Sequence, residues 1–256
     1  MTDHLRCEGI TVKFGGVIAC DNISLGVEKG KIVGLIGPNG AGKTTLFNVL
    51  TRFQPYEAGS VFHNGNNVDE LKPHSMVHRG LARTFQNINL FRDQTTLRNI
   101  MTGGHSLMGN PVSAMLWTST ARKREREIEE RAIEIAEILN LTGELENEVG
   151  NLPYGYQKRV ELGRALASQP SLLLLDEPVA GCNDDETAEL QEIIGMVNKK
   201  MGVSVLLVEH DMKMVMKVCD YLYVINFGAN LAKGTPEEIR KNPEVIKAYL
   251  GEEEQS

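Results

Sequence analysis

Apolar and polar positions alternate through Ile10-Thr11-Val12-Lys13-Phe14 and again through Ile23-Ser24-Leu25-Gly26-Val27. That is the period of a strand with one buried face, so residues 5–36 read as strands, the first two forming an antiparallel pair. Lys31-Ile32-Val33-Gly34-Leu35-Ile36 breaks the alternation; its continuous apolar run predicts a strand covered on both faces. A glycine-rich turn follows, then a helix over Thr44-Thr45-Leu46-Phe47-Asn48-Val49-Leu50. Between 87 and 150 the spacing becomes helical, as in Ile128, Ala132, Ile135, Ala136 and Leu139, while 105–120, with Gly109-Asn110-Pro111, reads as a loop or irregular insertion. From Leu172 onward strands (172–175, 203–208, 221–226) alternate with helices (near 186–200 and 211–218). Such alternation implies a parallel sheet wrapped by helices. Thr235, Pro236 and Glu238 form a capping-box helix start, and a last helix near 242–250 runs into a polar end at 252–256 that reads as frayed. The expected fold is an α/β core of residues 1–86 and 172–256, with an N-terminal antiparallel region, interrupted by a helical subdomain at 87–171.

Composition narrows the classes. At 256 residues, 41% apolar and 24% charged, the chain has the profile of a globular protein able to bury a substantial core. No segment approaches the roughly 18 uninterrupted apolar residues of a membrane helix, so any membrane role is expected to be peripheral. The N-terminal residues show no apolar secretory region, and Cys7, Cys20, Cys182 and Cys219 are far apart, which favours reduced thiols in the cytoplasm. Net charge is −7, and the basic cluster Arg122-Lys123-Arg124 is interleaved with Glu125, Glu127, Glu129 and Glu130. That is a solvated helix face, and it argues against nucleic acid as a partner.

The chemistry concentrates at two places. Gly37, Pro38, Asn39, Gly40, Ala41, Gly42, Lys43 and Thr44 match G-x-x-x-x-G-K-[ST] between a buried-type strand and a helix, the signature of a P-loop NTPase core. Glycines let successive backbone amides point at phosphate oxygens, and the following helix presents its positive end to the same charge. Lys43 is placed to reach the β- and γ-phosphates, and Thr44 to coordinate Mg²⁺. The second place is Leu172-Leu173-Leu174-Leu175-Asp176-Glu177, an apolar strand ending in two carboxylates. Ligands of parallel sheets gather at strand carboxyl ends. Asp176 is therefore expected to hold the metal shell, and Glu177 to orient or deprotonate the attacking water.

Taken in order with several others, these residues resemble the ATP-binding subunits of ABC transporters across essentially the whole chain. The resemblance implies that Phe14 stacks on adenine and that Gln86 senses Mg²⁺ and water. It puts Leu152-Pro153-Tyr154-Gly155-Tyr156-Gln157 in the signature motif, Ala180-Gly181-Cys182-Asn183 in the dimer-contact loop, and His210 on the γ-phosphate. It therefore implies that nucleotide binds at Phe14, 37–45, Tyr154, Gly155 and Gln157, that Thr44, Gln86 and Asp176 hold the metal, and that Glu177, His210, Gln86 and Lys43 act in hydrolysis. The signature departs from Leu-Ser-Gly-Gly-Gln: Pro153 replaces the serine and Tyr154 the first glycine. Proline offers neither N–H nor hydroxyl, so contacts are expected from the Gly155 and Tyr156 amides, with Pro153 in the first turn of the helix.

Leu81-Ala82-Arg83-Thr84-Phe85-Gln86, the Tyr154-Gly155 pair of the signature, Val208-Glu209-His210-Asp211-Met212, Gly234-Thr235-Pro236 and Ala248-Tyr249-Leu250-Gly251 resemble more narrowly the branched-chain amino acid uptake branch. That branch implies two related ATPase subunits, two membrane permeases and an external binding protein, with this chain at the cytoplasmic face of the membrane. Blander readings stand beside these. Phe14 alone reads as a core or strand-edge aromatic and His210 as a structural histidine. His63, His74, His78 and His105 read as surface residues, and Trp117 as a local packing residue. Ile88, Leu90, Phe91 and Leu97 serve either the subdomain core or a permease groove. The rival functions are a soluble ABC-type ATPase of assembly or repair, a GTPase switch and an ATP-binding scaffold. The chain lacks the tandem cassettes of the first and the Asn-Lys-x-Asp motif of the second, and Glu177 opposes the third.

Overall fold

The computed structural model describes residues 3–85, 88–105 and 119–253. Strands β1 (Asp3–Phe14) and β2 (Val17–Glu28) pair antiparallel, and β4 (Ala58–His63) and β5 (Asn66–Asn67) extend them into a four-stranded sheet ordered β2-β1-β4-β5. The second sheet has six strands. β3 (Ile32–Ile36), β6 (Leu81–Arg83), β7 (Leu172–Asp176), β8 (Ser204–Val208) and β9 (Tyr221–Asn226) run parallel, and β10 (Ala229–Gly234) pairs antiparallel at one edge, giving the order β10-β9-β3-β8-β7-β6.

Every residue of β3, β7 and β8 is buried. Their side chains divide by the two-residue period between two cores. Val33, Leu35, Leu172, Leu174, Leu206 and Val208 join the antiparallel sheet and α1 (Lys43–Leu50), whereas Ile32, Ile36, Leu173, Leu175, Val205 and Leu207 join the opposite, helix-covered side. A one-residue slip in any strand would exchange its two faces.

After the short α2 (Pro73–His78), the remaining helices start and stop where local chemistry tells them to. α6 (Asp184–Met201) opens on a capping box of Asn183 and Glu186, has acids in its first turn and Lys199 and Lys200 in its last, and ends at Gly202. Those charges oppose the helix dipole. Asp211 caps α7 (Met212–Val218), and the box of Thr235 and Glu238 opens α8 (Pro236–Lys241) as the sequence predicts. α9 (Pro243–Glu253) continues beyond 250 as helix. In the helical region, α3 (Thr96–Gly104), α4 (Ser119–Ile138) and α5 (Tyr154–Ala167) pack together, with Ala132, Ile135 and Ala136 fully buried. Lys123 and Glu127 pair across an exposed turn of α4.

Some expectations change. The segment 105–120 is not wholly loop, because Ser119 and Thr120 already belong to α4; 106–118, with Trp117, lie outside the described residues. Pro153 is the N-cap of α5 at φ −53° and ψ 154°, one position before the first turn. His63 is buried, not a surface residue. Its Nδ1 bonds the His4 carbonyl and its Nε2 the Arg79 carbonyl, and its ring stacks on His4 at 5.4 Å. His74, His78 and His105 are exposed. Leu90 and Leu97 pack against the core while Phe91 is exposed. All four cysteines are free thiols.

Candidate functional site

β3 leads straight into the glycine-rich loop, and α1 leads out of it. Gly42, the N-cap of α1, has φ 99°. A Cβ there would be driven into the Ala19 carbonyl of β2, and one on Gly37 (φ 156°) into the Ile225 carbonyl of β9. Only glycine lets the backbone curl between these two walls. The Ala41 N–H donates to Pro38, and the Ala41 carbonyl accepts from Gly228 at 3.1 Å. Lys43 is buried, with its ammonium donating to the carbonyls of Gly37 and, at 2.9 Å, Pro38. Asn39, Gly40 and Thr44 are exposed, and Thr45 is half-buried. Curled amides, a helix N-terminus, an ammonium and a hydroxyl together form a receptor for a polyphosphate.

Strand order brings the second group to the same edge, since β8 lies between β3 and β7. Asp176 ends β7, is 5% exposed, and accepts from Arg83 through Oδ2 at 2.8 Å. The same guanidinium reaches Asn48 and Thr51 of the α1 end and is ringed by Phe47, Phe53 and Phe85. Burial pushes the Asp176 carboxyl above its ordinary range, and the bond and charge of Arg83 oppose that rise. Glu177 follows in a left-handed conformation (φ 46°), its N–H donating to the Val208 carbonyl at 2.9 Å. Non-glycine residues held in this region persist where surrounding contacts over-determine them, characteristically at functional sites. The Glu177 Oε1 lies 3.8 Å from Nδ1 of His210, which is largely exposed just past β8.

The other sequence candidates are placed as follows. Phe14 is half-exposed at the turn between β1 and β2, on the same hairpin whose Ala19 carbonyl lies against Gly42. Tyr154 and Gly155 open α5 beside the loop after β7. The Gly155 N–H donates to Glu186 Oε1 at 3.1 Å, and Gln157 Nε2 donates to the Leu152 carbonyl at 2.8 Å. Among the described residues, these signature side chains and amides thus bond within 152–186 and not to 37–45. Gln86 lies outside the described residues. Two participants escape a sequence reading. Arg83 holds Asp176, and Glu209, fully buried, accepts backbone N–H groups from two loops. An acid directly after an apolar strand is the one signal that marks Glu209.

The donor set suits a hard cation: the Thr44 hydroxyl and the Asp176 Oδ1, the carboxylate oxygen that Arg83 does not take.

Comparisons with known proteins identify the family. The family model described as ABC transporter matches residues 20–180, and that of the branched-chain amino acid ATP-binding cassette transporter matches 229–255. The high-affinity branched-chain amino acid transport ATP-binding protein BraF of Pseudomonas aeruginosa is 44% identical, over 97% of this chain and 98% of its own length. LivG of Escherichia coli, which bears the same description, is 41% identical over the same shares. Among solved structures, the ADP conformation of MJ1267, an ATP-binding cassette of an ABC transporter, superposes with a TM-score of 0.86 at 32% identity, covering 98% of this chain and 100% of that one. No helix among the described residues is long and apolar enough to cross a membrane. With a polyphosphate loop, a strand-end acid pair and full-length relatives of this kind, the chain belongs to the ABC transporter family as an ATP-binding and ATP-hydrolysing member.

Proposed function

We propose that this chain is the ATPase subunit of an importer of branched-chain amino acids, working as a dimer at the cytoplasmic face of the membrane. The site observation that carries the ATPase reading is the meeting of the phosphate loop, Asp176, Glu177 and His210 at the carboxyl ends of three adjacent strands. The amino acid cargo is supported by BraF and LivG being branched-chain amino acid transport proteins and by the specialised family match at 229–255. The ATPase does not touch the cargo, so its own residues carry no cargo-reading chemistry.

In the proposed mechanism the amides and glycines of 37–42 and Lys43 grip the triphosphate, Thr44 and Thr45 face it from α1, and Phe14 stacks on the base. Thr44, Asp176 and Gln86 would hold Mg²⁺, which when bound would neutralise phosphate charge. Glu177 orients the attacking water and accepts its proton; His210 bonds the γ-phosphate as charge develops. Tyr154, Gly155 and Gln157 of a second ATPase subunit, identical or related, cap that phosphate from across the dimer. ATP therefore closes the dimer in proportion to the contacts it makes only in the closed state, and hydrolysis removes them. Residues 1–86 and 172–256 form the nucleotide core in this reading and 87–171 the arm, which docks on permease subunits served by an external solute-binding protein.

The test is Glu177→Gln with ATP. The substituted chain is expected to bind ATP, turn over slowly and accumulate as a dimer in size-exclusion chromatography. Undiminished phosphate release would remove Glu177 from its role. Co-purification of the chain with integral membrane permeases, and loss of leucine uptake when it is deleted, test the transport assignment.

A further inference from the structure

Glu209 has no part in the mechanism above, yet it is the most completely buried acid beside the site. It follows β8 directly and is 0% exposed. Its Oε1 accepts from the Val179 N–H at 3.2 Å, and its Oε2 accepts from the N–H groups of His210 at 3.1 Å and Asp211 at 3.4 Å. No lysine or arginine pairs with it among the described residues; its ion-pair contact is the His210 ring at 3.7 Å. A carboxylate taken out of water costs several kcal/mol unless its oxygens are fully used. Here they are used entirely by backbone, and by backbone from two different loops.

Those loops carry the two hydrolytic groups. Val179 lies two residues beyond Glu177, in the turn where the Ala180 N–H returns to the Glu177 carbonyl. His210 and Asp211 form the loop after β8, and Asp211 goes on to cap α7 through the Met214 N–H. Glu177 itself sits at φ 46°, a conformation that needs external restraint. One acceptor-only side chain therefore ties the strained acid loop to the histidine loop. A glutamine could do this on one side only, since its NH₂ would meet an N–H donor on the other.

We propose that Glu209 is a positioning residue for ATP hydrolysis: its buried carboxylate pins the loops after β7 and β8 together and so fixes the separation of Glu177 and His210. The proposal rests on the reading of those two residues as hydrolytic groups. A spacing between two groups matters only while both are present, and misplacement by about 1 Å can cost 10²-fold in rate.

The experiment is a double-mutant cycle on steady-state ATPase activity of the full chain, using Glu209→Gln, His210→Ala and the pair, with thermal melts of each. Glu209→Gln is expected to lower kcat by about 10- to 100-fold with the KM for ATP within about threefold. In the His210→Ala background the same substitution is expected to change kcat by less than about threefold. A Glu209→Gln protein with unchanged kcat, or one whose penalty multiplies in full onto that of His210→Ala, would overturn the positioning role. An unchanged kcat in His210→Ala alone would instead overturn the hydrolytic reading of His210, and the proposal with it. Should Glu209→Gln fail to fold, Glu209→Asp keeps the charge one methylene short. Lowered kcat at constant KM in that variant supports the proposal, and full kcat with only a lower Tm sinks it.

Discussion

The strands Leu172–Asp176 and Ser204–Val208 carry a polar cluster at each end, and the two clusters are built on opposite terms. At the amino end, His4 spans Ser204 Oγ at 2.8 Å and Ser171 Oγ at 3.0 Å, while Ser204 accepts from the Gly30 N–H and Ser171 donates to the Gly80 carbonyl. Every member is neutral and each ring nitrogen has a partner. At the carboxyl end, Asp176, Glu177, Glu209 and His210 bring three acids together, one on a left-handed backbone and one histidine largely in solvent. The first cluster is closed, with its bonding capacity spent inside the protein. The second keeps capacity in reserve, in the Asp176 Oδ1 and the exposed His210 ring, and that reserve is what a ligand can use. Burial and hydrogen bonding alone do not distinguish structure from function here; unspent valence does.

Three measurements sharpen this contrast. The largest effect is expected at the open end: Glu177→Gln should reduce kcat by about 10³-fold, the scale of general acid–base assistance, with little change in Tm, read by phosphate release and a thermal melt. If the Tm fell as far as the rate, the distinction between the ends would be lost. Next comes the closed end. Burial, with His63 and Lys29 nearby, lowers the His4 pKa to about 4, so the folded protein holds this ring neutral while the unfolded chain binds a proton near pH 6.5. Its contribution is fully present above pH 6.5 and is lost as pH falls from 6.5 toward 4, amounting to roughly 3 kcal/mol by linkage. Burial raises the carboxyls of Asp176, Glu161 and Glu209, and their pH dependence has the opposite sign. The informative quantity is therefore the difference in urea-unfolding free energy between wild type and His4→Gln across pH 4–7.5. That difference should shrink on acidification, and kcat at pH 7.5 should stay within about twofold. The smallest effect belongs to the hairpin: Phe14→Ala should raise the KM for ATP about fivefold, near the 1 kcal/mol of one base–aromatic stack, without changing kcat.

Much of the architecture was legible because it is local. Leu172 to Leu175 and Val205 to Val208 are apolar enough to declare two-sided burial, and Thr235 with Glu238 declares a helix start. β6 was not legible as a strand, since three residues carry no period and it exists through its pairing with β7. β4 and β10 were hidden for a related reason: Ala58-Gly59-Ser60 and Ala229-Asn230 lack strand-forming side chains and are held by neighbours. His63 reads as a surface residue in the sequence because its stacking partner, His4, lies 59 residues away. At the site, the curled loop announces itself in consecutive residues. The hold of Arg83 on Asp176 spans 93 positions and that of Glu209 on Val179 spans 30, so neither could be found without the third dimension.

The left-handed backbone at Glu177 has a consequence for how such a protein can be improved. A glycine or asparagine would occupy that conformation more comfortably, by an amount on the order of 1 kcal/mol. Selection for heat resistance alone would therefore favour replacing the residue to which the proposed mechanism assigns the attacking water. The chain retains its acid at this corner against its own robustness, and thermostabilising screens run without an activity filter should converge on inert variants here.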